Sequence, residues 1–437
     1  MLRLIDWSEE CPDRAELAAR MPRARIDLGA AVEVVRPIMD DVASRGAAAC
    51  REWSARLDGV SSSRLRVAES FLAEALASLD PEVRQALEIA IEHARAGHAA
   101  QLPREVRTEI VPGGAITQRW IPVRRVGLYV PGGLAVYPSS VVMNAVAAQV
   151  AGVQEIALVS PPQEAFGGTI HPTIAAACAL LGIKEVYACG GAQGIGLLAY
   201  GSREDEQVAP VDVITGPGNI YVAAAKRIAQ ATCGIDAEAG TTEIAIIADE
   251  TANPDWVAAD LISQAEHDPA AASVLITTSE TLIAEVEDNL ARRVGATRHE
   301  ERVRKALSGP QSGAILVADL DSAIEVANAY AAEHLEIQCV DAESVAARID
   351  RAGAIFVGPY TPVPAGDYVA GSNHVLPTGG TARYASGLSV MTYLKPVQQV
   401  SYTREALETI TRPLVALATS EDLPAHAESA TARFPRH

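Results

Sequence analysis

Lysine is scarce in this chain of 437 residues. The four present, Lys184, Lys226, Lys305 and Lys395, are followed by Glu, Arg, Ala and Pro. No G-K-[ST] phosphate loop therefore exists, which excludes ATP hydrolysis by that device. Cysteine is equally thin: Cys11, Cys50, Cys178, Cys189, Cys233 and Cys339 form no C-x-x-C pair. That spacing argues against a disulfide framework, a thiolate zinc site and a thioredoxin-like centre. Positive charge is in deficit, with 36 Lys plus Arg against 55 Asp plus Glu and a formal charge of −19. No basic run breaks the acidic balance, so nucleic acid and anionic membrane are poor partners. A long apolar run is also missing. The richest stretch, residues 141–153, is interrupted by Asn144 and Gln149, and the opening MLRLIDWSEE carries acids where a secretory signal needs an apolar core. The expectation is a soluble, reduced, cytoplasmic protein.

Apolar residues make up 49 % of the chain, enough for packed cores in two or three domains. Residues 1–119 read as a helical, polar-rich lead-in, with apolar positions three and four apart in FLAEALASLDPEVRQALEIAIEHA. From Arg124 the texture changes to short β-rich runs, VRRVGLYV, QEIALVS, KEVYA and VDVIT, separated by Ala-rich helical stretches. A second series, EIAIIAD, ASVLITT, GAILVAD, HLEIQCV and GAIFVG, begins near Glu243 after the link GIDAEAG. Such alternation predicts parallel sheets with crossover helices, hence two α/β units. Residues 359–387, rich in Gly, Pro, Ser, Thr and Asn, read as a functional loop, followed by a helical segment to about Thr419.

Three glycine turns close predicted strands of the first series: Val130-Pro131-Gly132-Gly133, Gly190-Gly191-Ala192-Gln193 and Gly216-Pro217-Gly218-Asn219. Ligand crevices of open α/β sheets lie at such strand ends, and together the turns suit a ligand of nucleotide size. Each alone equally suits an ordinary tight turn, and none is a G-x-G-x-x-G. In the second series, Asn253 reads as the cap of a helix with Pro254 in its first turn, placing Gln264 and His267 on one face. That pair suits a metal or, as readily, a plain surface helix end. Adjacent Glu333 and His334 suit a general acid/base pair at a carboxyl-side crevice, or a helix end with a solvated acid. The long loop adds Asp367 with His374 beside it, and the tail adds Glu421 and His426. His93, His98, His171, His299 and His437 read as surface or packing residues. Oxygen and imidazole donors without thiolate point to Zn²⁺, with Mn²⁺ second.

The stretches RVGLYVPGG, EVYACGGAQGIGLLAYG, DVITGPGNIYVAAAKR, DLISQAEH, AEHLEI, AGDYVAGSNHVLPTGGTARY and LPAH, taken together, resemble the histidinol dehydrogenase family. The resemblance implies a zinc-dependent homodimer that oxidises L-histidinol to L-histidine with two NAD⁺. It implies zinc ligands at Gln264, His267, Asp367 and His426, the last from the partner subunit, and an acid/base pair at Glu333 and His334. It further implies NAD contacts at Tyr129, Gln193 and Asn219, and substrate contacts at Thr242, His334 and Glu421 besides the zinc ligands. One departure stands out: where the family reads AGPSE, this chain has Ala239-Gly240-Thr241-Thr242-Glu243, which keeps a hydroxyl and loses the proline. The implied fold is two Rossmann-like α/β domains in an intertwined homodimer. Its expected parts are an N-terminal segment (1–25), a first α/β domain (26–127 with 239–386) carrying the metal and acid/base residues, a second (128–238) carrying the NAD turns, and a C-terminal helical arm (387–437). Competing readings are a related zinc/NAD alcohol dehydrogenase for another small hydroxylated compound and a non-catalytic α/β binding protein.

Overall fold

A computed structural model describes residues 1–24, 27–132, 136–203, 206–238 and 240–434. Gly133, Ala239 and His437 of the sequence reading lie outside them. The chain divides into two compact units, Met1–Ala100 with Arg124–Tyr393, and Gln101–Val123 with Leu394–His437. Along the chain come β1 (Leu4–Trp7), then β2 (Val106–Val111) and β3 (Gly114–Pro122). Two runs of five follow: β4 (Arg125–Tyr129), β5 (Glu155–Ser160), β6 (Glu185–Ala188), β7 (Val213–Thr215) and β8 (Gly234–Ile235); then β9 (Glu243–Ala248), β10 (Ala272–Thr277), β11 (Gly313–Val317), β12 (His334–Gln338) and β13 (Ala354–Val357). Strand β14 (Leu394–Tyr402) closes the series.

Both runs form parallel sheets in the larger unit. One has the order β6-β5-β4-β7-β8 and the other β1-β11-β10-β9-β12-β13. Counted within its own run, each sheet follows the same 3-2-1-4-5 winding, which reverses between β4 and β7 in one and between β9 and β12 in the other. Sequence explains why these strands are central: EIAIIA, ASVLIT and GAILV are buried at every position, as parallel strands covered by helices on both faces must be. The α/β expectation therefore holds, and every strand run named for it forms.

Two expectations are corrected. The lead-in is not wholly helical, because Leu4–Trp7 pairs with β11 and extends the second sheet, and β2 and β3 form an antiparallel pair. Helices Leu28–Arg45 and Ala47–Leu57 bury Val35, Met39, Val42 and Cys50 against Ile195, Leu198 and Ala224, in one core with the first sheet. This grouping differs from the assignment of 26–127 to the 239–386 unit. The arm is also not helical throughout. In the smaller unit β14 pairs with β3, which pairs with β2, and helices Arg404–Ser420 and Pro424–Thr431 follow. As an edge strand β14 tolerates Pro396, a residue that argues against a strand when read without its neighbours.

Candidate active site

The three glycine turns gather at the carboxyl ends of β4, β6 and β7, around the point where the first winding reverses. Tyr129 ends β4, and its buried hydroxyl accepts the Gly191 N–H (3.2 Å). Gln193 opens the helix Gly191–Tyr200, 1 % exposed; its Nε2 donates to Asp58 Oδ2 (3.2 Å) while its Oε1 has no partner. Asn219 caps the helix Ile220–Ala229 by accepting the N–H groups of Tyr221 and Val222. At Gly216, φ is +121° and a Cβ would collide with Tyr129 O, so only glycine lets this turn approach β4.

The acid/base pair lies at the opposite kind of edge from the one expected. Glu333 immediately precedes β12 and His334 opens it, so both stand at the amino ends of the parallel strands. Topology supplies the reason: helix Pro254–Ala265 leaves the carboxyl end of β9 and runs back, delivering its last turn, with Gln264, to the amino edge. Asn253 caps that helix as expected. The helix ends at Ala265, so His267 lies just beyond it, its N–H donating to Gln264 O (3.2 Å) rather than sharing a helical face.

At this edge, β9 and β12 are in register with His334 opposite Ile244, which sets Glu243 beside Glu333. The Glu243 N–H donates to Glu333 Oε2 (2.9 Å), and Glu243 O faces His334 Nδ1 (3.3 Å). A carbonyl only accepts, so that contact puts the proton on Nδ1 and leaves the Nε2 lone pair free. His334 Nε2 is buried with no hydrogen-bond partner, 3.8 Å from Asp367 Oδ1. Thr242 Oγ1 donates to Glu333 Oε2 (2.5 Å) and accepts from Gln264 Nε2, so one hydroxyl ties the acid to the amide. Gln264 Oε1 is buried without a partner. Burial pushes Glu333 up to about 7 against the pull of Thr242 and the Glu243 N–H. Burial likewise raises Asp367 to about 6 and lowers His334 and His267, favouring neutral imidazoles. His374 supports the segment from below, Nδ1–H donating to Asp367 O (2.9 Å) and Nε2 meeting Ser140 Oγ (3.0 Å).

Glu421 and His426 belong to the smaller unit. The first follows helix Arg404–Ser420, the second sits in helix Pro424–Thr431, and both are exposed. Among the described residues no three His, Cys, Asp or Glu side chains gather as a metal site. The histidines set aside behave as packing or surface groups. Buried His98 meets Asn373, His93 Nδ1–H donates to Val369 O, His171 caps a helix, and half-exposed His299 lies 3.9 Å from Glu266. Sequence reasoning missed Asp58, Lys226, Asp236 and Glu243. The last was legible only as the start of EIAIIAD, since its backbone contacts depend on strand register.

Two doubly wound sheets, one with glycine turns at its switch point and one with a buried Glu-His pair at its edge, define an α/β protein with a candidate acid/base site. A sequence model of histidinol dehydrogenase matches residues 21–434. Histidinol dehydrogenase of Thermobifida fusca is 59 % identical over 422 residues, 97 % of this chain and 96 % of the relative. That of Nocardia farcinica is 56 % identical over 99 % of this chain and 98 % of its own length. The crystal structure of histidinol dehydrogenase from Elizabethkingia anophelis superposes with a TM-score of 0.91 at 32 % identity, covering 99 % of this chain and 98 % of that one. The chain belongs to the histidinol dehydrogenase family, and is an NAD-dependent oxidoreductase.

Proposed function

We propose that this protein oxidises L-histidinol to L-histidine through L-histidinaldehyde with two NAD⁺ and a bound zinc ion, the last step of histidine biosynthesis. One observation carries the reading: a buried His334 whose Nδ1–H is taken by Glu243 O and whose Nε2 lone pair is free, next to a Glu333 that titrates near neutrality. The residues fit a zinc ion. Gln264 presents an unpartnered buried amide oxygen, His267 is held neutral by burial, and Asp367 supplies a carboxylate. His426 is the proposed fourth ligand, contributed by the partner subunit of a homodimer. The smaller unit exposes Val106, Ile110, Val400 and Leu417, apolar side chains that support self-association.

When bound, NAD⁺ accepts hydride and the zinc ion holds and polarises an amino alcohol bearing an imidazole. His334 Nε2 takes the proton of the alcohol oxygen as the carbon loses hydride. The aldehyde then needs a second oxygen before it can lose hydride again. Glu333, its Oε2 held by Thr242 and the Glu243 N–H, takes a proton at its other oxygen from water adding to the carbonyl, while His334 Nε2 returns its proton to the carbonyl oxygen; neutral again, His334 takes a hydroxyl proton of the hydrate in the second oxidation. Tyr129, Gln193 and Asn219 are the proposed dinucleotide contacts. Thr242 and Glu421, with His334 and the four zinc ligands, are the proposed substrate contacts.

The test is NADH formation from L-histidinol, with and without a chelator. Two NADH per histidinol and loss of activity on chelation, restored by zinc, are expected; absence of chelator-sensitive NADH formation would overturn the reading.

A further inference from the structure

Lys226 is 1 % exposed, and its ammonium is enclosed by three acceptors. It forms an ion pair with Asp236 and donates to Gly216 O (2.8 Å) and Ala237 O (3.2 Å), which uses all three of its N–H bonds. Asp236 accepts from the N–H groups of the same two residues, Gly216 to Oδ2 (2.7 Å) and Ala237 to Oδ1 (2.7 Å). The backbone donor and acceptor of both residues are thus gripped by one buried pair. On its other side, Gly216 is pressed against the end of β4, at a φ of +121° and with Tyr129 O where a Cβ would sit. The turn that opens at Gly216 and ends at Asn219 is held between these two contacts.

A buried pair of opposite charges is a poor way to gain stability, since well-packed apolar side chains of similar volume often serve as well or better. It does fix geometry, because two of its directed contacts hold Gly216, where the turn opens, and two hold Ala237 beside it. We propose that Lys226 and Asp236 are positioning residues for the dinucleotide, setting the 216–219 turn so that Asn219 and the adjoining backbone meet the cofactor. This rests on the reading of the three glycine turns as the NAD⁺ side of the site. Neither side chain touches the cofactor; both act through Gly216.

The experiment compares the wild type with Lys226→Met, Asp236→Asn and the double variant, the last removing both charges so that neither is left unpaired. NAD⁺ is titrated directly by protein fluorescence, and steady-state rates are measured with NAD⁺ and histidinol varied in turn. The expected result is a dissociation constant and KM for NAD⁺ raised about tenfold or more, the KM for histidinol moving less than about twofold, and kcat at saturating NAD⁺ falling less than KM rises. Equal shifts in both KM values, or none, would overturn the proposal. So would failure of all three variants to fold, which would leave the pair a role in folding alone. A wild type that binds NAD⁺ yet makes no NADH from histidinol would sink the substrate reading and leave the direct titration to decide this one; a wild type that binds no NAD⁺ would sink both.

Discussion

Thr242 stands where the family pattern has a serine after proline, and its hydroxyl does two things at once: it donates to Glu333 and accepts from Gln264. Thr242→Ala removes both contacts, and a hydrogen bond to a charged group is worth about 1.5–3 kcal/mol. A drop in kcat/KM of roughly 10- to 100-fold is expected, with Thr242→Ser staying within about threefold. The Thr242 hydroxyl lowers the Glu333 pKa, so its loss moves that carboxyl further up from about 7 and shifts the acidic limb of the rate profile to higher pH. Steady-state kinetics across pH would check both. The paired roles of His334 and Glu333 predict a second split: His334→Asn depresses oxidation of the alcohol as well as the aldehyde, while Glu333→Gln chiefly depresses the aldehyde step, each by about 10²- to 10⁴-fold. Near-normal rates in both half-reactions would refute the assignment. At this scale the residue types were legible before the fold was known, because Glu333 and His334 are adjacent in sequence; their burial was not, since adjacency alone suits a solvated helix end as well. The backbone of Glu243 was not, since its grip on Glu333 and His334 exists only once β9 and β12 are in register.

Helix Val363–Tyr368, which carries Asp367, begins on a buried carboxyl group. Glu336 Oε1 accepts the Val363 N–H (2.9 Å), and Gln338 Nε2 donates to both Glu336 and Asp260. Burial first, and Asp260 second, push Glu336 up to about 8, and burial raises Asp260 too. Both folded values lie above the unfolded ones, so the folded chain keeps a proton that the unfolded chain has released. The stability contributed by Glu336 is then complete below about pH 4.5 and is lost as pH rises through about 8. Glu336→Gln mimics the protonated form, and the Gln338 Oε1, unpartnered in the fold, can accept from the new amide after the Gln338 side chain turns. The loss of Tm between pH 6 and pH 9 is expected to shrink by about 3 °C or more in this variant; an unchanged slope in thermal melts would count against it. Elements themselves followed sequence unevenly. The buried parallel strands were legible because unbroken runs such as EIAIIA have few other uses. β1 is only four residues long, and β2 and β14 are largely exposed, so none carries an apolar run or a clean alternation.

For the whole molecule the proposal that His426 comes from the partner subunit makes a prediction about mixed dimers. The proposed ligands Gln264, His267 and Asp367 belong to the larger unit, and His426 to the smaller one. If each site takes its larger unit from one chain and His426 from the partner of a two-fold dimer, two defects on different chains can be sorted into one site. Take His267→Asn and His426→Asn, each inactive alone. In a mixed dimer, one site combines both defects, and the other combines the intact His267 of one chain with the intact His426 of its partner. Random mixing makes half the dimers mixed, each with one working site of two, so about a quarter of wild-type activity should return on co-refolding equal amounts. If His426 instead serves its own chain, every site in every dimer keeps one defect and no activity returns. The quantity to measure is chelator-sensitive NADH formation from histidinol before and after co-refolding, with each variant refolded alone as the baseline. A recovery near a quarter supports the exchanged arm, and none refutes it.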